Sequence, residues 1–112
     1  MKLPGAERAV IDVEKLRDYC LNPAHPRGRH KARVFASTLG LLPADAEWLK
    51  AKLLHAALQH DAKQAGADEY GNRYVLDFDC ERYGTCVVVR SGWIVRRGED
   101  FPRLTTCYVI SE

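Results

Sequence analysis

Two imidazoles and four cations crowd one short stretch of this chain, Asn22-Pro23-Ala24-His25-Pro26-Arg27-Gly28-Arg29-His30-Lys31-Ala32-Arg33-Val34-Phe35. No Asp or Glu occurs between Asp18 and Asp45. Arg27, Arg29, Lys31 and Arg33 therefore form an uncompensated positive site, where a backbone phosphate would be welcome. Histidine adds a second kind of chemistry, because an unperturbed pKa of about 6.5 suits it to acid or base work near neutrality. Further along, Arg90 sits in the middle of a β-favouring run, and Arg103, Thr105 and Thr106 bring a second guanidinium and two hydroxyls. A metal-independent ribonuclease needs a base for the 2′-hydroxyl proton and an acid for the leaving 5′-oxygen. It also needs cations or hydroxyls around the phosphorane-like transition state. His25 or His30 could fill the proton roles. Lys31, Arg90, Arg103 and Thr106 could hold the phosphate, with Arg27, Arg29 and His30 as further substrate contacts.

Other features bound this reading. The chain has 112 residues, 46% of them apolar, and a formal net charge of +2, which fits one ordered globular domain spanning 1–112. A nucleic-acid partner thus rests on where the charge is placed. The first residues lack an apolar leader segment, and no run is long enough to cross a bilayer, so a cytoplasmic protein without membrane contact is expected. Cys20, Cys80, Cys86 and Cys107 form no C-x-x-C pair. Cys80 and Cys86 could face each other across a hairpin, although a reducing compartment favours free thiols. Cys20, His25 and His30 could be imagined around a metal, but their spacing is nonstandard. No cofactor or metal is expected.

Elements must position these groups. Asp12 can cap a helix through Val13, Leu16 and Cys20, ending before Pro23. Pro23, Pro26 and Gly28 enforce a loop. From about Arg29 a second helix puts Ala32, Phe35, Ala36 and Leu39 on one face and stops at Gly40, with Lys31 at the border of that face. A border lysine can bury its stem and extend its ammonium into a cleft. A third helix, capped by Asp45, runs to about Asp61 with Ala46, Leu49, Leu53, Ala56, Ala57 and His60 in one stripe. Leu54 and Leu58 lie opposite, which implies either deeper burial or a docking face.

From Tyr70 the period becomes two. Tyr74, Leu76, Phe78 and Cys80 alternate with Arg73, Val75, Asp77 and Asp79, and a hairpin loop near Tyr83-Gly84 leads into a long run from Cys86 to Arg97. In that run Val87, Val89, Ser91, Trp93 and Val95 share one face, while Arg90 faces the other way. Arg90 there either pairs with Asp77 or Asp79 or meets a ligand. A last strand runs from Arg103 to Ile110. The expected class is α+β, with about three N-terminal helices on one face of a C-terminal antiparallel sheet of three or four strands.

Several segments together resemble a family of small bacterial domains of unknown function. They are Asn22-Pro23-x-His25-Pro26-x-Gly28-x-x-Lys31-Ala32-x-x-Phe35, then Tyr70-Gly71-x-x-Tyr74-Val75-x-Asp77, Val89-Arg90-Ser91-x-Trp93-Ile94, and Pro102-Arg103-Leu104-x-Thr106-x-Tyr108-Val109. Such domains occur free-standing beside a small partner gene, or as C-terminal tips of larger secreted toxins. The resemblance implies a toxin-like activity with a small neutralising antitoxin or immunity protein as partner. The helix-then-sheet layout is similar to the barnase, EndoU, colicin and RelE group of metal-independent ribonucleases. The family resemblance also implies weight at His25, Lys31, Arg90, Ser91, Trp93, Arg103 and Thr106, with Ser91 as a substrate contact and Trp93 most simply a core anchor.

Three functions compete on this sequence. The first is an RNA-cleaving toxin. The second is a non-catalytic nucleic-acid-binding module using the same basic loop, for which neither histidine is required. The third is an antitoxin or other interaction protein, and a homo-oligomer is compatible with each.

Overall fold

The computed structural model describes residues 1–110. Asp12 starts the first helix by accepting a hydrogen bond from the Glu14 amide at 2.9 Å. One α turn, Val13–Lys15 (α1), passes into a π turn over Leu16–Cys20, closed by the Leu21 amide on the Leu16 carbonyl at 2.9 Å. Two prolines and Gly28 then keep the chain out of helix until Arg29–Leu39 (α2), which buries Ala32, Phe35 and Leu39 and stops at Gly40. Pro43–Asp45 form a 3-10 turn, and Ala46–Gln59 (α3) buries Ala46, Leu49, Leu53, Ala56 and Ala57.

His60 lies outside the stripe it was expected to join. It follows the last helical residue with extended backbone angles and is exposed, its ring 6.3 Å from that of Phe78. Of the two leucines on the other side of α3, Leu54 packs against the core and Leu58 is exposed.

Four strands follow as an antiparallel meander, in the order β1-β2-β3-β4: Lys63–Asp68, Gly71–Arg82, Thr85–Arg96 and Pro102–Val109. The helices cover one face of the sheet. Tyr74, Leu76, Phe78 and Cys80 from β2, Val87, Val89, Ser91 and Trp93 from β3, and Leu104 and Cys107 from β4 are buried beneath them. Tyr83 and Gly84, both at positive φ, make the two-residue turn of the central hairpin. Cys80 stands opposite Val87 and is buried, whereas Cys86 stands opposite Glu81 and is exposed, so the two thiols occupy different faces and are free.

Both rims of the sheet carry features absent from the hydrophobic pattern. All six residues of β1 are exposed, so this strand is held by its backbone ladder to β2 and by the turn at Asp68 rather than by burial. On the opposite rim, the N-terminal arm runs beside β4. The Val10 amide donates to the Pro102 carbonyl at 2.9 Å, and the Leu104 amide donates to the Val10 carbonyl at 3.0 Å. That pairing ends at Leu104, and the edge of β4 beyond it faces α2 and the π turn.

The Asp68 carboxylate organises the β1–β2 turn. It accepts from the Arg73 Nε at 2.7 Å and from the Tyr70 and Gly71 amides at 2.9 and 3.3 Å. The Arg73 hydrogen bond, then that of the Tyr70 amide, hold this carboxyl below its usual range against a small burial effect. A folded pKa below the unfolded one means that the contribution is complete above about pH 4 and fades as the pH falls through the folded value. Protection of the Tyr70 and Gly71 amides from hydrogen exchange should therefore drop below about pH 4, and Asp68→Ala should abolish that step while sparing the β2–β3 ladder.

Candidate functional site

The loop before α2 is held by its own polar groups. The Asn22 side chain accepts from the Ala24 amide at 2.9 Å, and the His25 carbonyl accepts from the Arg29 amide at 3.0 Å. His25 Nδ1 accepts from the Arg27 and Gly28 amides at 3.0 and 3.1 Å, satisfying donors that enter the helix. With that lone pair occupied, the ring carries its proton on Nε2. Nδ1 of His25 is thus committed to the loop, and Nε2 is the ring nitrogen left for other contacts. Gly28 is buried against the π turn, where a Cβ would collide with the Tyr19 carbonyl oxygen and crowd the Tyr19 ring.

Tyr19 is the centre of the cluster. Its ring meets His25 edge-on, with centroids 4.8 Å apart and planes at 90°. The same ring lies 6.0 Å from the Lys31 ammonium. Lys31 leaves α2 half-buried and reaches the open edge of β4, where its Nζ lies 3.4 Å from the Thr106 hydroxyl and 4.6 Å from the Tyr108 ring centre. Tyr108 stands directly across from Arg90 on β3. Lys31 and Arg90, from opposite layers of the fold, therefore share one aromatic side chain.

Beside this point Lys15, Tyr19, His25, Arg27 and Thr105 line an open cavity of about 370 Å³. Cys20 and Cys107 are both buried. Interaction with Cys107, with Lys15 and Lys31 adding to it, lowers the pKa of the Cys20 thiol against the effect of burial, while interaction with Cys20 and burial push that of Cys107 up.

The cations divide into two groups. Arg90 grips Asp77 with two hydrogen bonds, 2.9 and 3.0 Å, and Arg103 grips Glu99 likewise at 3.0 and 2.9 Å. The Arg90 guanidinium is held more firmly protonated than usual, first by hydrogen bonding to Asp77, then by that carboxylate's charge, and, after a small opposing burial effect, by the Tyr108 oxygen. Of the two roles open to Arg90, pairing with Asp77 is the one present. Among the described residues, by contrast, Lys15, Arg27, Arg29, Lys31, Arg33 and Arg96 have no carboxylate within ion-pair distance.

His25, Lys31 and Thr106 are therefore brought together around Tyr19, with Arg27 on the cavity wall and Arg90 reached through Tyr108. Arg29 and His30 are exposed at the start of α2, away from these contacts. Arg103 lies lower on β4, its guanidinium 5.0 Å from the Phe101 ring. Ser91 is fully buried on the helix side of the sheet, where it donates to the Leu76 carbonyl at 2.7 Å and accepts from Trp93 Nε1 at 2.9 Å. Both functions of its hydroxyl are consumed there, so its place is in the core rather than at a substrate. Among the described residues no three His, Cys, Asp or Glu side chains gather as a metal site, and Cys20, His25 and His30 do not converge.

A family model matches residues 2–111. The chain belongs to DUF6883, a domain of unknown function. No curated protein and no solved structure matches it.

In this DUF6883 domain Lys15 and Tyr19, the cavity walls beside Thr105, and Tyr108, the link to Arg90, carried no role in the sequence pattern. Lys15 and Tyr19 stand four residues apart on one helical face, a spacing visible in the sequence. Their relation to His25 arises only when Gly28 packs on the π turn. Removing the Ser91 hydroxyl leaves the buried Trp93 N–H without its acceptor, so Ser91→Ala should cost about 1–3 kcal/mol in denaturant unfolding.

Proposed function

We propose that this domain is a toxin-like endoribonuclease that cleaves RNA without a metal, by attack of a 2′-hydroxyl on the adjacent phosphate. The observation that carries the reading is Lys31, whose ammonium crosses the edge of β4 to sit on Thr106 and Tyr108 with no carboxylate beside it. A scissile phosphate at this point meets the Lys31 charge and the Thr106 hydroxyl, while Arg27 and Lys15 neutralise its neighbours. His25, with Nδ1 committed to the loop, offers a hydrogen bond from Nε2 to a phosphate oxygen. Tyr108, whose oxygen lies against Arg90, is the group we assign to protonating the leaving 5′-oxygen as the 2′-oxygen–phosphorus bond forms, while solvent water takes the 2′-hydroxyl proton and returns one to the phenol. The toxin-like setting that the family resemblance implies points to the same reading, and with it to a small neutralising protein as partner.

A second reading, a binding module that holds RNA without cutting it, is favoured by the two occupied arginine forks and by the fixed tautomer of His25. Incubation of purified protein with total RNA, with and without EDTA, separates the two. Under the first reading cleavage proceeds equally in both. Lys31→Ala slows it roughly 10²- to 10³-fold, and Tyr108→Phe slows it by about 10²-fold or more. Retention of RNA without products, with log affinity falling against log salt by about 0.7 per phosphate contacted, would replace the enzyme with the binding module.

A further inference from the structure

Thr105 also lines a second cavity, of about 440 Å³, on the outer face of the sheet with Tyr70, Arg73, Ile94 and Arg96. Its floor is unusual. Ile94 points away from the helices and belongs to no part of the main core, yet it is only 5% exposed. Arg73 and Arg103 are its cross-strand neighbours, one on each side.

Tyr70 stands over this floor on a rigid mount. Its amide is held by Asp68, its carbonyl accepts from the Arg97 amide at 3.0 Å, and the next residue, Gly71, has φ 150° with the Val95 carbonyl where a Cβ would be. The ring itself is left open, with the residue 64% exposed. A pinned backbone under a free ring gives an aromatic surface with little conformational entropy left to lose on binding. The two guanidinium groups differ in a useful way. Arg73 has its edge on Asp68 and keeps its planar face available for stacking, while Arg96 has no carboxylate partner among the described residues and can take a phosphate.

We propose that this cavity is a base subsite for single-stranded RNA: one unstacked nucleobase lies against Tyr70 over Ile94 and Arg73, and Arg96 holds its phosphate. The proposal rests on the RNA reading above and adds the substrate's form. Thr105 joins the subsite to the cavity of His25 and Arg27, so one strand can occupy both. A duplex hides the faces of its bases in the stack and offers Tyr70 nothing to cover, whereas an unpaired base of any identity presents a π-face.

The test uses a fluorescent octamer of mixed sequence with 2′-O-methyl groups, which removes the attacking hydroxyl, in intact form and with each base in turn replaced by an abasic unit. The wild-type protein should bind the intact octamer, bind its duplex at least tenfold more weakly, and lose roughly tenfold at one abasic position. Tyr70→Ala should lose a similar factor on the intact octamer and nothing further at that position. Tyr70→Phe should behave as wild type, and Arg96→Gln should weaken every probe alike. Thermal melting identifies any variant whose fold has changed. If wild type binds RNA but Tyr70→Ala binds all probes as wild type does, or if duplex binds as well as single strand, the subsite is overturned while the RNA reading stands. If wild type binds no RNA, that reading fails and takes the subsite with it.

Discussion

The bulge in β4 opposite Gly92 is the constraint on which the candidate site depends. Leu104 pairs with Trp93 and Cys107 with Ser91, and both are buried on the helix side although they are three residues apart. A regular strand alternates faces at every residue, so three steps would send one of them out to solvent. The extra residue in β4 resolves the conflict, with Thr105 and Thr106 together facing Gly92. Gly92 makes room for them, since a Cβ there would lie 2.9 Å from the Thr105 hydroxyl and 3.3 Å from a Thr106 methyl. The bulge keeps Tyr108 on the outer face across from Arg90. It also puts Thr106 where Lys31 can reach it and Thr105 on the wall shared by the two cavities.

Charge placement on the two layers follows opposite rules. Three outward arginines of the sheet, Arg73, Arg90 and Arg103, each have their own carboxylate, which limits repulsion among closely spaced guanidinium groups, whereas Arg96 near the end of the β3 ladder has none among the described residues. The start of α2 has Arg29, His30 and Lys31 and no acid, although the positive end of a helix dipole disfavours cations by about 0.3–1 kcal/mol each. Among the described residues no carboxylate lies within ion-pair distance of Arg29 or Lys31 to compensate that arrangement. An anion bound at Lys31 would do so, and the helix dipole would then add to the attraction instead of opposing the side chains.

Local signals in the sequence reached most of the fold. Asp12, Gly40 and the Tyr83-Gly84 turn act where a side chain or a backbone angle decides the outcome within a few residues. Alternation located the buried faces of β2 and β3, because each residue of those strands either meets the core or avoids it, and it left Asp77, Asp79 or a ligand as partners for Arg90, of which Asp77 is the one present. β1 was illegible for the opposite reason: with neither face buried, its composition carries no period. His60 was misplaced because helical spacing was extended one residue past the last helical turn. In the site, the border position of Lys31 was readable from its helix. Its partners Thr106, Tyr108 and Tyr19 come from a bulge and a π turn, and both break the periodicity on which such reading depends.

His25 shows how the loop limits its own chemistry. One ring nitrogen accepts the Arg27 and Gly28 amides and so helps to hold the entry to α2, the helix that carries Lys31. A ring placed this way is part of the scaffold. The lone pair that caps the Arg27 and Gly28 amides lets two prolines and a glycine hand the chain over to α2 without leaving those donors unsatisfied, and the contact of Lys31 with Thr106 inherits its aim from that helix start.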